Sequence, residues 1–188
     1  MSNVYDFDKT IYQGDSTIDF CLFCAKRHWK IYGNVLKAIM LIPCTKLRLT
    51  TLEYVKGKLF AFLKYIDKDE LDYLLEAFWN SHNYKMQKWY ITQQQFDDII
   101  ITASPEFLVK ACPYLISVKV IGTQINIENG RLLSNNCKGQ EKVKRLKQLP
   151  PIPIEEFYSD SKSDLPLARL ARHAFLVNRK EIVKWIIK

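Results

Sequence analysis

No stretch of this chain approaches the roughly 18 consecutive apolar residues that a membrane-spanning helix needs. The nearest run, around Val35 to Ile42, is short and broken by Lys37. The first residues lack the basic and apolar regions of a secretory signal and turn acidic within eight positions, so no leader peptide is expected. Cysteines number five (Cys21, Cys24, Cys44, Cys112, Cys137), an odd count without ladder-like spacing. That excludes a disulfide scaffold and points to a reduced, cytoplasmic protein. His28, His82 and His173 are scattered and match no metal or nucleophile spacing. There is no internal repeat and no low-complexity segment. Acids are scarce in one place: from Lys26 to Lys58 a single Glu53 stands against eight cations, Lys26, Arg27, Lys30, Lys37, Lys46, Arg48, Lys56 and Lys58. A face that basic suits phosphorylated ligands, an anionic membrane or nucleic acid, or is simply a solvated helical surface.

What is present fits one domain, or one domain carrying a smaller inserted module: 188 residues, 48 % apolar and 26 % charged. Residues 3–8 read as a strand feeding a loop. From about Ser16 to Gln95 the pattern is helical. Leu52, Val55, Leu59, Phe62, Leu63 and Ile66 step by three and four, as do Leu71, Leu74, Leu75 and Phe78. Asp67 or Asp69 is placed to cap the second of these helices. Cys21 and Cys24 form a C-x-x-C inside the apolar "FCLFCA" with no second ligand pair, which reads as core packing rather than metal or redox work. After Gln95 the pattern changes. "FDDIIITAS" is a β-branched strand, with Pro105 as a first helical residue. "VKVIGTQINIENGRLL" holds two strand-like runs and an Asn-Gly turn, "GQEKVKRLKQL" is a basic helix, and "IEEFYSDS" is a strand running into a loop. One strand, a helical block and then strand–helix repeats predict an α/β fold. The expected form is a three-layer Rossmann-like core with a parallel sheet, residues 1–15 and 96–188, carrying an all-helical cap inserted over residues 16–95.

The polar residues gather where such a fold makes a site, beyond the carboxyl ends of the strands. Asp6 and Asp8 end the first strand, Thr102 and Ser104 the second, and Asp160 and Asp164 follow a later one. Four carboxylates at one rim oppose each other's ionisation. A hard divalent cation with oxygen ligands, magnesium where phosphate is handled, and a lysine from the basic helix relieve that repulsion.

The order "DFDKT" … "IIITAS" … "GQEKV" … "YSDSKSD" resembles the four motifs of the haloacid dehalogenase superfamily of phosphohydrolases. The likeness is nearest to the branch with phosphoserine phosphatase and the bacterial phosphatidylglycerophosphate phosphatases, which also inserts a helical cap between its first and second motifs. The resemblance implies a magnesium-dependent phosphomonoester hydrolase working through an aspartyl-phosphate. Asp6 would be the nucleophile. Asp8 would be the acid and base, its backbone carbonyl joining Asp6 and Asp160 around Mg2+. Thr102 would bind a phosphoryl oxygen, Thr10 would steady the loop by the phosphate, and Asp164 would act from behind. Asp15 falls where phosphoserine phosphatases keep a glutamate for the substrate's amino group, and is equally placed to cap the first helix. The catalytic lysine is expected to be Lys142, because Leu146 and Leu149 follow it at core spacing, whereas Lys142 and Arg145 follow Lys138. Lys138 does stand directly before a glycine, as the lysine of phosphoserine phosphatases often does. Ser159 replaces the usual glycine before Asp160. The expected substrate is a small or lipid-linked anionic phosphate, with peripheral membrane contact through the basic cap and no nucleic acid. The alternative is a basic membrane- or nucleic-acid-binding module with a vestigial phosphatase site, against which the intact acid set argues.

Overall fold

The computed structural model describes residues 2–28, 31–47, 49–115, 117–179 and 181–187. Of the eight cations above, Lys30 and Arg48 lie outside the described residues, as does the side chain of Lys46. The chain opens on β1 (Ser2–Tyr5) and then enters a run of helices: α1 (Ser16–Arg27), α2 (Ile31–Lys46), α3 (Leu52–Phe60), α4 (Lys68–His82) and α5 (Lys88–Gln93). It returns through β2 (Ile99–Pro105), α6 (Glu106–Lys110), β3 (Lys119–Thr123), α7 (Gln140–Leu146), β4 (Ile154–Ser159), α8 (Leu165–Ala168), β5 (Ala171–Asn178) and β6 (Glu181–Lys184).

These strands form one six-stranded sheet of order β3-β2-β1-β4-β5-β6. The first five are mutually parallel, with Tyr5 level with Ile100 on one side and Tyr158 on the other. The sheet expected to be parallel is therefore mixed, because β6 pairs antiparallel with β5. Only two residues separate those strands, a connection that can turn back but cannot make a parallel crossover. Side chains alternate faces along each strand. Val4, Ile99, Ile101 and Phe157 pack with Val143 of α7 and Leu167 of α8, while Tyr5, Ile100 and Tyr158 pack with Leu108 of α6 and the helical insertion. Helices thus cover both faces. Because β2 lies on one side of β1 and β4 on the other, the connections diverge at β1 and open a crevice beyond its carboxyl end.

The insertion is held by its apolar stripes. Val55, Leu59, Phe62, Leu63, Leu71, Leu74, Leu75 and Phe78 are buried. The run from Leu52 to Ile66 is not one helix: α3 ends at Phe60 and a tighter 3₁₀ turn covers Ala61–Tyr65, leaving Leu52 at the exposed start. Asp67 caps α4, accepting from the amide of Glu70 at 2.8 Å. Trp79 ties the insertion to α6 by donating its indole N–H to Leu108 O at 2.9 Å. Cys21 and Cys24 are buried with free thiols, and burial pushes Cys24 up to about 12, so both act as small apolar side chains. Two turn details differ from expectation. Pro105 ends β2 as the residue before α6 rather than opening the helix. The run after β3 makes only one bridge, Ile125 to Leu132, around the turn that holds Gly130. Among the described residues no helix is long and apolar enough to cross a membrane.

Candidate active site

The crevice begins where β1 stops. The amide of Asp6 still donates to Tyr158 O (2.8 Å), after which the carbonyl of Phe7 collects the amides of Thr10, Ile11 and Tyr12. This tight turn holds Lys9 at φ 59°, the left-handed region that costs a non-glycine residue about 1 kcal/mol. Phe7 anchors it from inside, stacked on Tyr12 and edge-on to Trp79. Asp6 and Asp8 therefore emerge side by side but with different partners.

Asp6 receives a cation. Lys142, in the first turn of α7, is 2 % exposed and donates from Nζ to Asp6 Oδ1 (2.8 Å) and to Asp164 Oδ2 (2.7 Å). Ser159 donates to the same Asp164 oxygen at 2.8 Å, while Asp164 Oδ1 is buried without a partner. Burial works against the ammonium of Lys142, but Asp6 and Asp164 outweigh it and hold its pKa above the ordinary value. Leu146 and Leu149 pack on the sheet behind it, and Lys138 is exposed on the rim.

Asp8 receives hydroxyls and an amide instead. Its Oδ1 accepts from the backbone N–H of Ser16 at 2.9 Å, and its Oδ2 accepts from Ser104 Oγ. Ser104 is itself 3.0 Å from Thr17 Oγ1. Burial raises both carboxyls. Asp6 is pushed up to about 6, moderated by Lys142, and Asp8 is pushed up to about 7 with Asp15 adding repulsion. Asp160 is raised as well, by burial first, with Lys9 countering.

The other expected residues separate into two groups. Asp6, Asp8, Asp15, Thr102, Lys142, Asp160 and Asp164 all line one depression of about 210 Å³. Thr102 is buried at its floor, its Oγ1 accepting from Ser104 N at 3.1 Å. Thr10 is not among its walls. Fully buried, its hydroxyl accepts from the amide of Asp160 at 2.9 Å, so it ties the β1 loop to the β4 loop instead of lining the depression. Asp15 lies on the rim and spends its Oδ1 capping α1, accepting from Ile18 N at 3.0 Å.

Sequence reasoning missed two groups. Ser104 was visible as a strand end but had no role; its i, i+2 relation to Thr102 was the signal. Lys56, counted only as charge, reaches down from α3 and donates to Ala103 O (2.5 Å) and Asn136 Oδ1 (2.6 Å). Thr123 Oγ1 donates to the same two oxygens. Nothing in a basic segment marks which cation turns inward. Burial lowers Lys56 to about 8, against the pull of Asp8 and Asp15.

Among the described residues no three His, Cys, Asp or Glu side chains gather closely enough to hold an ion by themselves. The described lining of the crevice holds no histidine or cysteine; its candidate ligands are the carboxylates of Asp6 and Asp160, both raised by burial and by neighbouring acids. Carboxylate oxygens without nitrogen or sulfur ligands suit magnesium, which keeps several waters, better than zinc.

A family model described as haloacid dehalogenase-like hydrolase matches residues 4–169. A protein of unknown function from Bordetella pertussis Tohama I superposes with a TM-score of 0.75 at 17 % identity, over 92 % of this chain and 87 % of its own. A HAD family hydrolase from Salmonella enterica subsp. enterica serovar Typhi gives 0.64 at 13 % identity, over 89 % of this chain and 59 % of its own. A phosphoserine phosphohydrolase-like protein from Francisella tularensis subsp. tularensis SCHU S4 gives 0.55 at 14 % identity, over 96 % and 90 %. No curated protein matches the chain. At these identities the structural neighbours speak for the fold, and the family model, spanning most of the chain, speaks for descent: the chain belongs to the haloacid dehalogenase-like hydrolases.

Proposed function

We propose that this hydrolase is a magnesium-dependent phosphomonoester phosphatase, with Asp6 as nucleophile and Asp8 as proton carrier. The observation that carries the reading is the division of partners between two carboxylates two residues apart. Asp6 lies against the buried ammonium of Lys142, which keeps it ionised and able to attack. Among the described residues Asp8 has no cation in hydrogen-bond contact, and it is pushed up to about 7, so it holds a proton near neutral pH.

In the first step an Asp6 carboxylate oxygen bonds to phosphorus as the bond to the leaving oxygen breaks, and Asp8 gives that oxygen its proton. In the second, Asp8, now a carboxylate, takes a proton from water as the water oxygen bonds to phosphorus and the bond to Asp6 breaks. Phosphate leaves and Asp8 is protonated again. Lys142 and the hydroxyl of Thr102 receive the phosphoryl oxygens, and Asp164 holds Lys142 in place. Asp6, Asp160 and the carbonyl of Asp8 would hold magnesium, which would neutralise phosphoryl charge.

Residues 16–95 form the cap and residues 1–15 and 96–188 the catalytic core. Lys56 supports this division, since it crosses from α3 to the carbonyl beside Thr102 and seats the cap over the phosphate pocket. The substrate is an anionic phosphate, small or lipid-linked. A purified sample with magnesium should release phosphate from an aryl phosphate, and Asp6→Asn should abolish release while leaving the circular dichroism spectrum unchanged. An inert wild type across soluble and lipid phosphomonoesters would overturn the reading.

A further inference from the structure

Helix α2 is apolar on both sides. Ile31, Val35 and Ala38 are buried against α1 and α3. On the other side Tyr32, Leu36, Met40 and Pro43 step by four, four and three, a single stripe along the helix. That stripe faces solvent: Leu36 is 56 % exposed and Met40 69 %. The chain then leaves the helix with Leu47 and Leu49 exposed by 69 % and 74 %. Exposed aliphatic side chains in that density mark a surface that meets something.

Its charge decides what. Lys26, Arg27, Lys37 and Lys58 are exposed in the same three-helix layer, and Glu53 is the one acid between Lys26 and Lys58. A second copy packed face to face would set these cations against their own images. Nucleic acid would answer the cations but has no use for Leu36, Met40, Leu47 and Leu49, which neither contact phosphate nor stack on bases. An anionic bilayer answers both, with head groups for the ammonium and guanidinium groups and acyl chains for the aliphatic ones. We propose that the outer face of α2, continued by Leu47 and Leu49, docks on an anionic lipid surface. The helix lies along the interface with Leu36 and Met40 inserted and Lys37 among the head groups. This docking does not depend on phosphatase chemistry.

The test is co-sedimentation of the full chain with vesicles of phosphatidylcholine, alone or mixed with phosphatidylserine. Wild type should bind the mixed vesicles, release at raised salt, and ignore the neutral ones. The pair Leu36→Gln and Met40→Gln should weaken binding by about ten-fold or more, and Lys37→Gln by about five-fold. Asp6→Asn should bind as wild type does, which separates this proposal from the catalytic one, and the α2 pair should keep wild-type turnover of an aryl phosphate. Equal binding by the α2 pair, or no preference for anionic vesicles, would overturn the proposal. So would lipid-free self-association that the α2 pair abolishes, because a second copy then covers the face. A preference for duplex DNA over vesicles would overturn it as well.

Discussion

In the crevice beyond β1, charged groups are buried, with Asp6, Lys142 and Asp164 each under one-tenth exposed. On the outer face of α2, aliphatic groups are exposed and the charges around them are nearly all of one sign. Both regions invert the usual partition of polar and apolar surface, but they do so under different constraints. The crevice is compensated internally: each buried acid there meets a lysine, a hydroxyl or an amide. Among the described residues nothing covers the α2 face. A compensated inversion marks a place where chemistry is prepared, and an uncompensated one marks a place where a partner is expected. The two should therefore respond differently to substitution.

The largest effect belongs to the crevice. Asp6→Asn should lower turnover of an aryl phosphate by about 10⁴-fold or more, read as phosphate release in the presence of magnesium. Lys142→Met should reduce turnover by about 10²- to 10³-fold. It should also cost about 3–5 kcal/mol in urea unfolding, because Asp6 and Asp164 are left buried with no cation. That loss should shrink as pH falls and the acids take up protons, an outcome that mere loss of packing would not produce.

The contact between the helical insertion and the rest of the chain comes next. Gly130 sits at φ +72°, and a Cβ there would stand 2.0 Å from Phe60 O at the end of α3. Gly130→Ala should destabilise by about 2–4 kcal/mol and move the α3 backbone, checked by chemical unfolding and by the amide shifts around Phe60.

Asp98 gives a buried acid outside the crevice, with Oδ2 accepting from Gln95 N at 2.8 Å and Oδ1 without a partner. Burial, aided by Asp97, pushes it up to about 6. Between about pH 4 and pH 6 the folded chain therefore holds a proton that the unfolded chain has released, so this group makes stability fall as pH rises through that window. Asp98→Asn keeps the acceptor for Gln95 and removes the charge. It should be more stable than wild type by about 1–2 kcal/mol above pH 6, with the advantage vanishing near pH 4. The smallest effect belongs to α2, where Leu36→Gln with Met40→Gln should change stability by no more than about 0.5 kcal/mol. A large destabilisation there would mean that the face is packed after all and would erase the contrast.

Much of this was legible in the residues themselves. Alternation and β-branching located β1, β2 and β4. Steps of three and four located the insertion, and the small polar residues at strand ends located the crevice. That Lys142 rather than Lys138 is buried was signalled by Leu146 and Leu149, which both pack on the sheet. Other features were not legible, for a common reason. Thr10 has the same formula whether it binds a ligand or the amide of Asp160. Asp15 reads alike as substrate ligand and helix cap. Lys56 looks like its neighbours until α3 is laid on the core. The break at Phe60 interrupts an unbroken apolar period, at a carbonyl against which the turn holding Gly130 lies too close for any side chain.

By itself the sequence determined which groups could do chemistry and on what kind of element each would ride, since those depend on side-chain formula and on periods of two and 3.6 residues. Tertiary structure alone decided which carboxylate meets a cation and which meets a hydroxyl and an amide. It also decided that Lys56 turns inward and which apolar face is left in water. Those outcomes depend on distance and burial, and distance is set by the packing of elements far apart in the chain: Lys142 lies 136 positions from the Asp6 it neutralises.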